Sequence, residues 1–168
     1  MDSRADGGLG LSLQQIGAIY GTAAPVMLLA GGILGGIFIS KVGLRRALFI
    51  MAFALNVPNL IYIYLASELP ESLFVTGSLI AVEQFGYGFG FAGYMVYLMH
   101  ASRGKNRTSS YAICTSLMAL GISFPGLFSG ALQMRLGYLG FFEWVVIATS
   151  VSFAVTWLAW RSVKKASE

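Results

Sequence analysis

Gly36-Ile-Phe-Ile-Ser40-Lys41-Val-Gly43-Leu-Arg45-Arg46 gathers three basic side chains and a glycine between two runs, residues 7–40 and 47–67, that carry no charge at all. A third charge-free run covers residues 108–134. Each exceeds the roughly 20 residues an α-helix needs to cross a hydrocarbon core. The basic cluster therefore reads as a tight hairpin connection at a membrane surface. Gly43 suits a turn that needs positive φ, Lys41 neutralises the negative end of the preceding helix, and Arg45 and Arg46 meet anionic lipid.

The rest of the 168-residue chain agrees. It is 57% hydrophobic and 11% charged, with a mean hydropathy of +0.73, against roughly 25% charge in a soluble domain. A water-soluble globule is excluded. One cysteine, Cys114, and one histidine, His100, allow neither an intramolecular disulfide nor a multi-ligand metal site, so no metal or other cofactor is expected. Met1 to Leu11 lacks the basic start and short apolar core of a signal peptide.

Five apolar segments emerge, at about 14–39, 45–66, 72–100, 108–134 and 141–160. The polar connections between them are Ser40–Leu44, Ser67–Glu71, Ala101–Arg107 and Arg135–Gly140. Backbone groups in lipid must be satisfied within each segment, so all five are helices. The fold class is thus an all-α membrane protein, a single transmembrane helical domain over 1–168. Lys41, Arg45 and Arg46, then Arg103, Lys105 and Arg107, then Arg161, Lys164 and Lys165 fall on one side, against Arg4 and Arg135 on the other. Cytoplasmic loops hold the basic excess. The expected location is the inner (plasma) membrane, multi-pass, with the N-terminus outside and the C-terminus cytoplasmic. The basic pI is then a matter of topology, and no nucleic-acid partner is expected.

Glu83 is the one acidic residue deep within a span, about eleven residues below the start of its helix, or roughly 16 Å at 1.5 Å per residue. An intramembrane carboxyl is expensive and marks function by default. Helical spacing from Glu83 selects Tyr87, Gly90, Tyr94 and Tyr97, an acid, phenol and glycine face suited to a sugar- or peptide-bearing cavity. Gln84 stands beside it. In the second segment Asn56 and Asn59 flank Pro58, which frees a backbone carbonyl and kinks the helix, so both asparagines are further candidates for the cavity. Gly17/Gly21, Gly31/Gly35 and Gly32/Gly36 in the first segment are expected to pack closely against a neighbour. The same holds for the stripe Ser116, Ala119, Ser123, Gly126, Gly130 and Gln133 in the fourth. Gly86, Gly88 and Gly90 lie within a span, where they thin the helix and bind no nucleotide. Glu143 and Trp144 read as interfacial, and Trp157, Trp160 and Arg161 as the inner anchor.

The run G-x-x-x-S-K-x-G-x-R-R resembles the cytoplasmic signature loop of the major facilitator superfamily, matching it at Gly36, Lys41, Gly43, Arg45 and Arg46. Ser40 and Leu44 stand where that family commonly has Asp and Arg. Glu83-Gln84-Phe-Gly86-Tyr-Gly88-Phe-Gly90-Phe-Ala-Gly93-Tyr-Met-Val-Tyr-Leu-Met99, followed by Ser109-Ser110-Tyr111-Ala112 and Leu117 to Gly121, is similar to the late helices of the muropeptide permease branch. The resemblance implies a partial second half of a major facilitator fold, helices eight to twelve of twelve, with Met1 an internal methionine of a longer chain. It implies secondary active, proton-coupled transport by alternating access of a small polar solute such as a muropeptide or peptide. Glu83, Gln84, Tyr87, Tyr94, Asn56 and Asn59 would then bind substrate or protons, and Gly36, Lys41, Gly43, Arg45 and Arg46 would form the cytoplasmic gate. The implied partners are the lipid bilayer, the small-molecule substrate, protons and the missing N-terminal helices of the same transporter. Two other classes fit the residues: a complete five-helix membrane scaffold or sensor, and a membrane enzyme using Glu83 as general acid or base. With one histidine, no paired intramembrane carboxylates and no phosphate-cradling loop, a non-enzyme is expected.

Overall fold

The computed structural model describes residues 8–165, the side chains of Lys164 and Lys165 excepted. Arg4, which entered the count of basic residues above, and the reading of Met1 lie outside the described residues.

The described residues are helical and contain no strand. Helix α1, Leu13–Val42, starts at Ser12, whose Oγ accepts the Gln15 N–H (3.2 Å) while Gln15 Oε1 accepts the Ser12 N–H (2.8 Å), so the first orphan donors are satisfied reciprocally. It passes through one wide turn at Ile19–Ala23 with i→i+5 character. Helix α2, Leu44–Glu68, tightens to a 3-10 turn at Val57–Asn59, around Pro58. Leu69, at φ 43°, ends it. Helix α3, Leu73–Ala101, starts at Ser72, whose Oγ accepts the Val75 N–H. The stretch Arg107–Lys165 is helical except at Gly137 (φ 71°, ψ 176°), which divides it into α4 (residues 107–136) and α5 (residues 138–165). The expected polar connection Arg135–Gly140 thus contracts to a single residue: only glycine takes that conformation cheaply, and one such residue redirects the chain without further loop.

Gly43 does the same between α1 and α2, at φ 82° and ψ 150°. That region of backbone space belongs essentially to glycine, at a cost of about 1–3 kcal/mol for any other residue. A methyl group there would meet nothing within 4 Å, so the cost of Gly43→Ala is conformational alone. The expected result is a melting temperature several degrees lower in detergent, read by intrinsic fluorescence; an unchanged value would mean the loop relaxes freely.

Helix α3 is the centre of the bundle. Gly86 and Gly90, four residues apart, lie on one face, and Gly88 lies opposite. A methyl group at Gly86 would stand 2.6 Å from the Ala54 carbonyl oxygen and one at Gly90 2.5 Å from that of Met51, both on α2. One at Gly88 would run into the Leu28 carbonyl of α1. The alternating glycines therefore let two helices lie against opposite sides of α3 at backbone distance, the packing that lipid favours where burial of apolar surface gives no drive. Ala54 is the residue whose carbonyl Pro58 leaves without its i+4 donor, and Gly86 covers it. On α1 only Gly31 and Gly35 make such contacts, with the Phe85 and Phe89 carbonyls. Gly17, Gly21 and Gly36 face nothing within 4 Å, and Gly32 reaches Gly88 only at 3.9 Å. Gly17, Gly21 and Gly36 are therefore not used among the described residues, because α3 covers one face of α1, whereas the Gly32 amide nitrogen would stand 3.1 Å from a methyl group at Gly88.

Pairings fix the directions. Leu28 meets Gly88 and Gly35 meets Ala92, so α1 runs parallel to α3; Met51 meets Gly93 and Ala54 meets Gly86, so α2 runs antiparallel. Tyr62 stacks on Phe142 (5.2 Å), Phe53 packs on Phe153 (4.9 Å) and Phe49 on Trp160 (6.2 Å), setting α5 antiparallel to α2. Two small cores result: Ile19, Ala24, Leu65 and Ile80 near one end, and Ile39, Ala47 and Met51 near the other. Most of α4 is exposed, and Gly126 and Gly130 of its small-residue stripe face nothing within 4 Å. The expected close contact at this stripe is thus absent among the described residues. Leu13–Val42, Leu44–Glu68 and Arg107–Val163 are long and apolar enough to cross a membrane, and their exposed faces are apolar, with Val26, Leu29, Phe124 and Leu127 all more than 60% accessible. Such a surface suits lipid and not water.

Candidate functional site

Glu83 lies between the two cores and is 6% exposed. Its Oε2 accepts hydrogen bonds from the Tyr62 hydroxyl of α2 (3.1 Å) and from Gln84 Nε2 (2.8 Å). Burying a carboxyl without partners is prohibitive, so the two donors are the condition for its presence. Tyr62 is held in turn: its ring lies nearly parallel to that of Phe142, 14° apart, and Tyr20, from the wide turn of α1, comes within interaction range of its hydroxyl. Tyr62 and Tyr20 also line a cavity of about 230 Å³ with Ile80, Tyr138 and Phe142, covered by residues 8–11. It lies at the end of the bundle away from Gly43.

Tyr62 and Tyr20 were not legible as site residues. The one sequence signal was a phenol in an otherwise apolar run, and Tyr64 carries the same signal. Tyr64 is 47% exposed while Tyr62 meets Glu83, a difference made by the facing helix.

The acid and phenol face expected along α3 divides in two. Tyr87 and Tyr94 do not meet Glu83. They are 39% and 37% exposed and, with Phe91 between them (5.8 and 6.1 Å centroid separations), form an aromatic ladder. The ladder walls a groove of about 570 Å³ whose far side is Cys114, Leu117 and Met118 of α4. The reason is geometric: at about 100° per residue, Tyr94, Tyr87 and Phe91 lie about 20°, 40° and 80° to one side of Glu83 around the helix, and α2 takes the Glu83 side while α4 takes the other. Tyr97 is used elsewhere, its hydroxyl 3.1 Å from Ser162 Oγ of α5. Gln84, three residues before Tyr87, bonds Glu83 (2.8 Å) and does not line the groove.

Asn56 is buried, and its Nδ2 donates to the Ala52 carbonyl one turn back (2.7 Å). Asn59 is half-buried. Neither lines the two cavities just described. At the opposite end, Arg45 of α2 lies over the Trp160 ring of α5 (4.4 Å), which ties the start of α2 to the end of α5, and Arg161 lies over Trp157 within α5 (3.7 Å). Arg45, Arg46, Gly43 and Trp160 border a third hollow there. Lys41, Gly36 and Arg46 are exposed. Among the described residues no three His, Cys, Asp or Glu side chains come together as a metal site.

The chain is similar to the anhydromuropeptide permease of Escherichia coli (strain K12), 24% identical over 141 residues, which is 84% of this chain and 28% of the permease. It is 28% identical over 134 residues to a Rickettsia conorii protein bearing the name transporter AmpG 4, covering 79% of this chain and 31% of that protein. It is 27% identical over 140 residues to an uncharacterized protein of Haemophilus influenzae, covering 80% of this chain and 33% of that protein. The chain spans about a third of the length of these curated relatives. No protein-family model and no solved structure matches it. The resemblance to muropeptide permeases is borne out, and the functional names among these relatives are those of transporters and permeases, not enzymes. With its long apolar helices the chain is a multi-pass membrane protein.

Proposed function

We propose that this chain is part of a secondary active transporter for muropeptides or related small polar solutes. The observation that carries the reading is the buried Glu83, bonded by Tyr62 and Gln84 inside a bundle whose outside is apolar. An ionisable group so placed serves a solute or ion path. The whole chain is one membrane domain of five spans, α1 to α5, which alternate in direction as successive membrane crossings must. They stand for helices eight to twelve of a major facilitator fold, and the helices before them form the other wall of an alternating-access site. Gly36, Lys41, Gly43, Arg45 and Arg46 belong to a cytoplasmic gate, the N-terminal side of α1 faces outward, and Glu83 exchanges the coupled proton.

The aromatic ladder is the solute wall. Exposed aromatic faces with a few placed polar groups are what a ring-bearing polar solute needs. The test compares uptake of labelled anhydromuropeptide, free peptide and free amino sugar by otherwise identical strains with and without the gene. Uptake of the muropeptide is expected to depend on the gene; equal uptake of all three in both strains would sink the reading.

A further inference from the structure

We infer that Glu83 exchanges its proton with the medium through the Tyr62 hydroxyl, by way of the tyrosine-lined cavity at the end of the bundle away from Gly43. The inference rests on the proposed role of Glu83 and adds its path and its side.

Three independent features carry it. Glu83 is buried, and the donors on its Oε2 are Tyr62 and Gln84. An amide N–H does not relay protons at neutral pH, whereas a hydroxyl both donates and accepts, so Tyr62 is the one of the two able to pass a proton on. Tyr62 also lines the cavity with Tyr20 and Tyr138. A volume of about 230 Å³ holds several waters at ~30 Å³ each, and three phenols supply the polar partners that such waters require. Finally, Tyr20 sits in the wide turn Ile19–Ala23, a local departure from α geometry of the kind that helices keep at working positions. Tyr20 lines the same cavity as Tyr62 beside residues 8–11, which precede α1, and this makes it the outer member of the relay.

The step balances without a charged intermediate on tyrosine. A cavity water carrying an extra proton forms a new O–H bond to the Tyr62 oxygen, directly or through Tyr20. The original Tyr62 O–H bond breaks as its proton joins Glu83 Oε2. Tyr62 ends neutral, Glu83 ends protonated, and one positive charge has left the cavity. The titratable groups facing this path are Tyr20 of α1, Tyr62 of α2 and Tyr138 of α5; no Asp, Glu, Lys, Arg or His lines the cavity among the described residues.

Tyr62 is a relay and positioning residue, and Tyr62→Phe removes its hydroxyl while keeping the ring that stacks on Phe142. The test is time-resolved infrared spectroscopy of the purified protein after a downward pH jump, following the carboxyl C=O band that Glu83→Gln deletes. In Tyr62→Phe the band is expected to rise roughly tenfold more slowly or worse, the scale of one lost hydrogen bond to a charged group. Its melting temperature should stay near that of the wild type, and Tyr20→Phe should show a smaller slowing. Equal rates in wild type and Tyr62→Phe, or a wild-type band that ignores pH, would overturn the inference. The readout needs no solute, so it fails or succeeds separately from the uptake comparison above.

Discussion

Gly88→Leu is expected to abolish the folded protein. The first atom of the new side chain would run into the Leu28 carbonyl and stand 3.1 Å from the Gly32 amide nitrogen, both backbone atoms of α1 and unable to swing aside as a side chain would. Helix α3 cannot retreat, because Gly86 and Gly90 already hold its other face at backbone distance from Ala54 and Met51 of α2. Ordinary overpacking costs about 1–3 kcal/mol where side chains shift. Here one helix must leave the bundle, and a cost above about 4 kcal/mol removes much of a total stability of about 5–15 kcal/mol. The yield of monodisperse protein in detergent should collapse. Gly126→Leu, at a position with nothing within 4 Å, should express and melt like the wild type. A Gly88→Leu variant of normal yield and melting temperature would show that α1 and α3 do not touch at this depth.

Glu83→Gln should leave the fold in place and remove coupled transport. The amide is nearly isosteric, its oxygen still accepts the Tyr62 hydroxyl, and no charge is left buried without a partner, so the melting temperature should move little. What is lost is the one deep group able to bind and release a proton. A proton crossing a potential of 100 mV is worth about 2.3 kcal/mol, which as a ratio is roughly 40-fold in solute accumulation. Gene-dependent accumulation should therefore fall by that order, while exchange of labelled for unlabelled solute, which needs no net proton movement, continues. Wild-type accumulation in Glu83→Gln would remove the carboxyl from the mechanism, and loss of the fold would make it a structural group.

The two variants test different levels of legibility. The glycines of residues 86–90 are visible in the sequence as a thinning of the helix, yet which neighbour lies on which side is not. Period-2 spacing on a 3.6-residue helix places Gly88 opposite Gly86 and Gly90 whatever the fold, but only the bundle shows that α1 takes one side and α2 the other. Glu83 is legible because a carboxyl deep in an apolar run needs a reason. Its partner Tyr62 is 21 residues away and looks like its neighbour Tyr64. The Tyr87 and Tyr94 face was read along one helix as continuous with Glu83, and an angular offset of one side-chain width assigns it to another groove.

By itself the sequence determined that this protein is helical and membrane-embedded, where its connections fall, which connection turns on Gly43 and which carboxyl lies deep within a span. These follow from local quantities: run length against bilayer thickness, charge per loop, and the conformational freedom of one residue. The tertiary structure decided that Tyr62 bonds Glu83, that the acid and the aromatic ladder occupy different cavities, and that Gly31, Gly35 and Gly88 carry the close contact while Gly17, Gly21, Gly36 and Gly126 do not. In an apolar helix nearly every face is equally compatible with lipid and with protein, so periodicity does not mark the inner side. Only the approach of a second backbone does.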